Sequence, residues 1–224
     1  MQEYIIIVAG GSGSRMQSDL PKQFLPLHDK VILLHTIDRF LSYNPDIRII
    51  ICCPKDFLNY TKELLSKHQY PNTIEVVEGG ATRFHSVKNG LNVIENMSSL
   101  VGVHDAARPL VSKETIARCY RTALEKGNAI PVIGLNESLR KVEGERNEAQ
   151  DRSAFRIVQT PQCFTTALLK EAFLQEYSPL FTDDASVLEK AGYTIHLTEG
   201  NTENIKITVP ADLLLAEVLL KNKE

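Results

Sequence analysis

The chain has 224 residues, of which 43% are hydrophobic and 24% charged, and its formal net charge is −3. That size and balance fit one well-cored domain spanning residues 1–224, and the charge offers no footprint for nucleic acid or an anionic membrane surface. No apolar run approaches the roughly 20 residues of a membrane helix, and the start of the chain lacks the basic and apolar segments of a signal peptide, so a cytoplasmic protein is expected.

Ile5-Ile6-Ile7-Val8-Ala9 is an unbroken apolar run. It reads as a strand buried on both faces, as in a parallel sheet. Gly10-Gly11-Ser12-Gly13 follows at once. Glycines there let the backbone approach a ligand and turn its N–H groups toward an anion. Arg15 and Lys22 add two cations, so the stretch suits a polyphosphate. It holds no GxxxxGK[ST] string, and Met16 stands where a dinucleotide fingerprint needs its third glycine. A glycine turn without a ligand is the alternative.

Apolar residues at helical spacing predict helices over 31–43 and 55–68, with strands at 47–52 and 73–77 between and after them. The alternation indicates an α/β domain with a mostly parallel sheet. Cys52 and Cys53 lie on the second of these strands. Together with Cys119 and Cys163 they form no CxxC pair, and all four read as buried or semi-buried thiols.

A second glycine loop, Glu78-Gly79-Gly80-Ala81, precedes a helix capped by Thr82, with Arg83 and Ser86 in its first turn. A helix N-terminus behind such a loop is available for polar recognition, or the loop is a plain tight turn. The strand at 100–104 runs into Asp105-Ala106-Ala107-Arg108-Pro109. The carboxyl tip of a central strand is where open α/β sheets bind ligands. Asp105 there either holds a divalent cation on phosphates or ties down the loop by pairing with Arg108. His104, on an apolar strand, reads as structural.

A helix over 112–126, capped by Ser112, and a strand at 129–132 come next. From 136 to 158 the chain turns strongly charged around Gly144, with strand-like residues on both flanks. This predicts a protruding β-hairpin arm. Such an arm is barely stable alone, so a second copy of the chain is the expected partner. Gln159 to Phe164 reads as the end of the arm. Helices over 165–177, 181–191 and 213–220 and strands at 194–198 and 204–208 complete the reading.

The ordered strings Ala9-Gly10-Gly11-Ser12-Gly13-Ser14-Arg15-Met16 with Pro21-Lys22-Gln23, Gly79-Gly80-Ala81-Thr82-Arg83, His104-Asp105-Ala106-Ala107-Arg108-Pro109, Gln159-Thr160-Pro161-Gln162, Thr182-Asp183-Asp184-Ala185 and Asn204-Ile205-Lys206-Ile207-Thr208 resemble the 2-C-methyl-D-erythritol 4-phosphate cytidylyltransferase family. The resemblance covers residues 3 to 222. It implies a Rossmann-like nucleotidyltransferase fold and transfer of CMP from CTP to a polyol phosphate. Arg15 and Lys22 match the cations on the triphosphate. The first glycine loop (Ala9, Gly10, Gly11, Gly13) with Gly80, Ala81 and Ser86 matches the cytosine and ribose pocket. Asp105 matches the acid near the ribose and the phosphates that carry Mg²⁺. Arg108, Arg152, Thr160, Thr182 and Lys206 match positions around the acceptor, and Arg152 and Lys206 join the catalytic cations. Ser138 stands where the family has an arm-base threonine, although the spacing before it differs. The family also implies a homodimer in which the arm embraces the second subunit. Ala9-Gly10-Gly11 replaces the family's frequent Ala-Ala-Gly, and Ala81 stands where an acid is sometimes found.

The implied chemistry needs no base, because an acceptor phosphate is already an anionic nucleophile. Catalysis then rests on positioning and on cations facing the phosphoryl oxygens. Two other functions share parts of the pattern. A ribitol-5-phosphate cytidylyltransferase shares the first glycine loop, Pro21-Lys22-Gln23 and the Gln159 string. A nucleotide-binding regulatory protein would keep the pocket without turnover.

Overall fold

The computed structural model describes residues 1–11, 16, 20–71 and 73–221. In chain order, β1 (Glu3–Val8) leads to a two-stranded hairpin, β2 (Pro26–Leu27) and β3 (Lys30–Val31), that the sequence did not announce. Then come α1 (Ile32–Tyr43), β4 (Arg48–Cys53), a 3-10 turn at 55–57 running into α2 (Leu58–Lys67), and β5 (Ile74–Glu78). The next four elements are α3 (Arg83–Asn92), β6 (Leu100–Asp105), α4 (Lys113–Lys126) and β7 (Asn128–Ile133). The arm is β8 (Leu139–Glu143) and β9 (Arg146–Gln150), followed by β10 (Ile157–Val158) and β11 (Gln162–Thr165). The chain ends with α5 (Thr166–Ala172), α6 (Asp184–Lys190), β12 (Leu197–Glu199) and α7 (Pro210–Lys221).

Among the described residues the main sheet has eight strands, in the order β10-β7-β11-β6-β1-β4-β5, with β12 also on β7. β1 sits between β4 and β6, parallel to both. Its side chains alternate between the two faces. Ile5 and Ile7 join one core with α1, α2 and α4, while Ile6 joins another with α3, α5 and α6. This is why three consecutive isoleucines are all 0% exposed, each such burial contributing roughly 1.5–3 kcal/mol. The chain builds outward from β1 through β4 to β5, then returns to the other flank of β1 with β6. That reversal is a topological switch point, with a crevice at the strands' carboxyl ends. All four cysteines are buried thiols.

Several expectations are corrected. Gln162–Thr165 is not the end of the arm but a central strand, antiparallel to both β6 and β7. Its apolar part, Cys163-Phe164, is too short to signal a strand by periodicity. Residues 204–208 form no strand. Ile207 is instead buried in a third core beside α7, and its N–H donates to Ala107 O at 2.9 Å. The helix expected over 165–177 stops at Ala172, where Phe173 turns to stack on Phe84 at 4.7 Å between ring centroids. The strand expected at 194–198 is shifted to Leu197–Glu199.

A hairpin forms inside the expected arm, shorter than 136–158: β8 and β9 pair antiparallel with each other and with no other described strand, while Ile157 and Val158 return to the main sheet beside β7. Gly144 turns the hairpin at φ 61°, a left-handed conformation that glycine adopts without strain.

Candidate active site

Register puts the tip of β6 against the first glycine loop: Val8 lies opposite Asp105. Ala106 N–H donates to Val8 O at 3.1 Å, and Ala9 N–H donates to Cys52 O at 2.8 Å. Gln23 Nε2 closes the loop by donating to Ala9 O. Ala9 is buried, whereas Gly10 and Gly11 are exposed at the cavity edge. Gly13 and Arg15 lie outside the described residues.

The second glycine loop is shaped by its helix. Thr82 caps α3, and the Gly80 N–H donates to Ser86 Oγ at 2.9 Å. Ser86 Oγ in turn donates to Thr82 O at 3.0 Å. A Cβ on Gly80 would lie 2.2 Å from His85 Cβ, so only glycine fits. Ser86 thus holds the loop's shape besides lining the cavity.

Two adjoining cavities meet at Asp105. One is lined by Gly10, Gly11, Lys22, Gly80, Ala81 and Ser86. The other is lined by Arg108, Thr160, Gln162, Thr182 and Asp183. Arg83, Asp105 and Lys206 line both and form the wall between them. Ser138 and Arg152 line neither. Both are exposed, and Arg152 donates to Asn136 O at the root of the arm.

Asp105 is 8% exposed and faces three cations. Its Oδ2 is 3.0 Å from Lys206 Nζ and 3.2 Å from Arg108 Nε, and its Oδ1 is 3.7 Å from Arg83 Nε. Burial pushes its pKa up, but Arg83, Lys206 and Arg108 together outweigh that and hold it well below the usual carboxylate range. Of the two roles read for Asp105 in the sequence, the pairing with Arg108 that ties down the loop is present, and the same carboxylate lines both cavities. Arg108 also donates to Asn204 O at 2.9 Å, which brings the 204–208 segment and its Lys206 to the wall.

Behind the wall runs a buried chain of hydrogen bonds. Asp105 N–H donates to Thr160 Oγ1 at 3.1 Å, and that hydroxyl is 2.9 Å from His104 Nδ1. His104 Nε2 is 3.1 Å from Arg108 O. A carbonyl only accepts, so Nε2 carries the proton and Nδ1 accepts from Thr160. Thr160 and His104 therefore position Asp105, and His104 is structural as expected. Burial pushes the His104 pKa down to about 4. The unfolded ring would protonate near 6.5, so the folded state loses stability as pH falls from about 6.5 to about 4. The full loss is about 3 kcal/mol. Unfolding in urea at pH 7 and pH 4.5, for wild type and His104→Gln, checks this: the wild type should lose more stability on acidification than the variant. Equal losses would refute it.

Sequence reasoning noted Arg83 and Asp184 without joining them. Arg83 Nη1 and Nη2 donate to the two Asp184 carboxylate oxygens at 2.8 and 2.7 Å. Burial disfavours both charges: beside Asp184 the Arg83 guanidinium still holds its proton more tightly than usual, whereas burial keeps the Asp184 carboxyl above its usual range despite Arg83. Two N–H donors, one on each carboxylate oxygen, are the geometry of an ion pair. Gln162 fixes the acid's place: its Oε1 accepts from Asp184 and Ala185 N–H at 3.0 Å each, and its Nε2 donates to Asp183 Oδ2 at 2.8 Å. A signal was present in the sequence. An arginine in the first turn of a helix opposes the helix dipole and calls for an acid from elsewhere.

The sequence profile of the family described as 2-C-methyl-D-erythritol 4-phosphate cytidylyltransferase matches residues 4–222. A protein of that name from Bacteroides thetaiotaomicron is 48% identical over 220 residues, 98% of this chain and 100% of the relative. The crystal structure of the Thermus thermophilus enzyme of the same name superposes with a TM-score of 0.77 at 33% identity, covering 99% of this chain and 100% of its own. The Francisella tularensis enzyme gives 0.81 at 33% identity, over 97% and 99%.

Proposed function

The chain belongs to the 2-C-methyl-D-erythritol 4-phosphate cytidylyltransferase family, and on that premise we propose how its two cavities divide one reaction: CTP takes the glycine-loop side and methylerythritol phosphate the Thr160–Thr182 side. The acceptor phosphate attacks the α-phosphorus in line, giving 4-diphosphocytidyl-2-C-methyl-D-erythritol and releasing pyrophosphate. The observation that carries this reading is the shared wall of Asp105, Arg83 and Lys206 between a glycine-lined cavity and a polar one. Two anions must be brought together there, and Lys206 is a cation facing both.

Each residue then has a task. Backbone around Gly10, Gly11, Gly80 and Ala81 receives the cytosine, the ribose and the phosphates. Arg15 and Lys22 hold the triphosphate and face the negative charge of the transition state. Thr182, Arg108 and Lys206 orient the acceptor, and Thr160 steadies Asp105 beside it. No group needs to remove a proton, because the attacking phosphate oxygen is already ionised at neutral pH.

Asp105 is the one carboxylate among the described residues that line the nucleotide cavity, and no three His, Cys, Asp or Glu side chains among them converge into a metal cage. That donor set fits Mg²⁺ carried on triphosphate oxygens with Asp105 as its protein neighbour. Bound there, the ion would neutralise charge on the phosphates and the departing pyrophosphate.

Arg152 completes the acceptor site from a second subunit. The arm pairs only with itself among the described strands, and Phe155, Ile157 and Val158 at its base are 40–46% exposed. An isolated hairpin and exposed apolar residues of this kind fit an interface between copies of the chain. No helix among the described residues is long and apolar enough to cross a membrane, and a cytoplasmic homodimer without nucleic acid is the form we propose.

The test is to supply CTP and Mg²⁺ with methylerythritol phosphate or with ribitol 5-phosphate and to measure pyrophosphate. Release with methylerythritol phosphate alone is expected. Release with ribitol phosphate alone would reassign the acceptor, and no release with either would leave a nucleotide-binding regulatory protein.

A further inference from the structure

Three cations surround Asp105, yet its two oxygens are used unequally. Oδ2 takes both Lys206 and Arg108, at 3.0 and 3.2 Å. Among the described residues, the cation nearest Oδ1 is Arg83 Nε, at 3.7 Å, which is beyond hydrogen-bond reach. Among the described residues Oδ1 accepts no hydrogen bond, whereas Oδ2 does. Arg83 stays back because both its terminal nitrogens are engaged by Asp184, at 2.8 and 2.7 Å. Asp184 in turn cannot follow Arg83 toward Asp105. It is 0% exposed, and its backbone N–H is anchored on Gln162 Oε1 at 3.0 Å.

We propose that Asp184 is a positioning residue that holds the Arg83 guanidinium off Asp105, keeping Oδ1 open to the nucleotide. This rests on the assignment of CTP to the cavity that Asp105 lines. Among the described residues two other carboxylates act on Arg83, Asp105 and Asp183. Both Asp183 oxygens already accept hydrogen bonds, from Ser186 N–H and Gln162 Nε2, so without the Asp184 charge the fork turns to Asp105. A bidentate Arg–carboxylate contact is strong and planar. It would cover Oδ1 and compete with the ribose or the magnesium-bound phosphates. The Arg83–Asp184 pair also joins the first turn of α3, on the nucleotide side, to the first turn of α6, which follows Thr182 on the acceptor side. The same contact therefore fixes the spacing of the two cavities.

A freed arginine and a lost contact do different harm. Asp184→Asn keeps the shape, removes the charge and frees the fork. Calorimetric titration with CTP and Mg²⁺ should show at least a tenfold weaker dissociation constant than wild type. Adding Arg83→Met removes the competitor, and the double variant should regain at least fivefold of that loss. Melting temperatures are read in parallel, and wild-type titration and turnover report separately on the cytidylyl-transfer assignment. A purely structural pair would lower the melting temperature of Asp184→Asn and leave CTP affinity within twofold, which would overturn the proposal. So would a double variant that binds CTP no better than Asp184→Asn. If Asp184→Asn does not fold, Asp184→Ser, which suits a first helical turn, takes its place with the same expectations.

Discussion

Lys206→Ala and Lys22→Ala should each lower kcat by about 10²- to 10³-fold while changing KM for CTP by less than tenfold. A preorganised cation facing a developing phosphoryl charge is worth on the order of 3 kcal/mol. Most of that appears in the transition state, where charge spreads over the equatorial oxygens. Lys206 has a second bond that could confuse the result, its 3.0 Å contact with Asp105. Its side chain is 43% exposed, however, and Asp105 keeps Arg108 and Arg83 when Lys206 is gone. The fold should therefore survive, with a melting temperature close to that of the wild type. Steady-state kinetics with both substrates varied separate the two effects. Unchanged kcat in either variant would remove that lysine from the transition state.

If Arg152 reaches the acceptor phosphate from the second subunit, as proposed, Arg152→Ala should be almost as damaging, by about 10²-fold in kcat/KM for the acceptor, through loss of a charge-assisted contact to a phosphate. The more informative outcome comes from mixing. If each site takes Arg152 from one chain and Lys206 from the other, Arg152→Ala and Lys206→Ala damage different partners of a heterodimer. Subunit exchange then creates one site in which both residues are intact. Co-incubated inactive variants should recover roughly a quarter of wild-type activity, the statistical yield for random pairing of a symmetric dimer. No recovery after demonstrated exchange would show that Arg152 serves its own chain.

The site was legible in the sequence wherever a backbone constraint and a chemical group coincided. Ile5 to Gly11 declared a buried strand and a bare turn, and Asp105 declared itself by standing at the end of an apolar strand. The two glycine loops, Asp105 and Lys206 do line one cavity. What stayed hidden was long-range. β11 reads as a leftover of the arm because Gln162 and Thr165 flank only two apolar residues. Its place between β6 and β7 depends on pairing, not on local pattern. The stretch 204–208 shows the converse. Ile205 and Ile207 have strand propensity, but the packing of Ile207 under α7 wins over any ladder. Arg83 and Asp184 are 101 residues apart, and nothing in either segment names the other. Thr160, matched to the acceptor, does line the second cavity, and what the sequence did not show is that its hydroxyl also meets Asp105 N–H and His104.

The central claim is a single direct displacement at the α-phosphorus, run by cations with no nucleophile from the protein. The measurement that bears on it most directly is the stereochemistry of transfer from a single diastereomer of CTP carrying sulfur on the α-phosphorus. One in-line attack by the acceptor phosphate predicts inversion at that phosphorus in the diphosphate product. Retention would require two displacements and a cytidylylated protein, and would contradict the account.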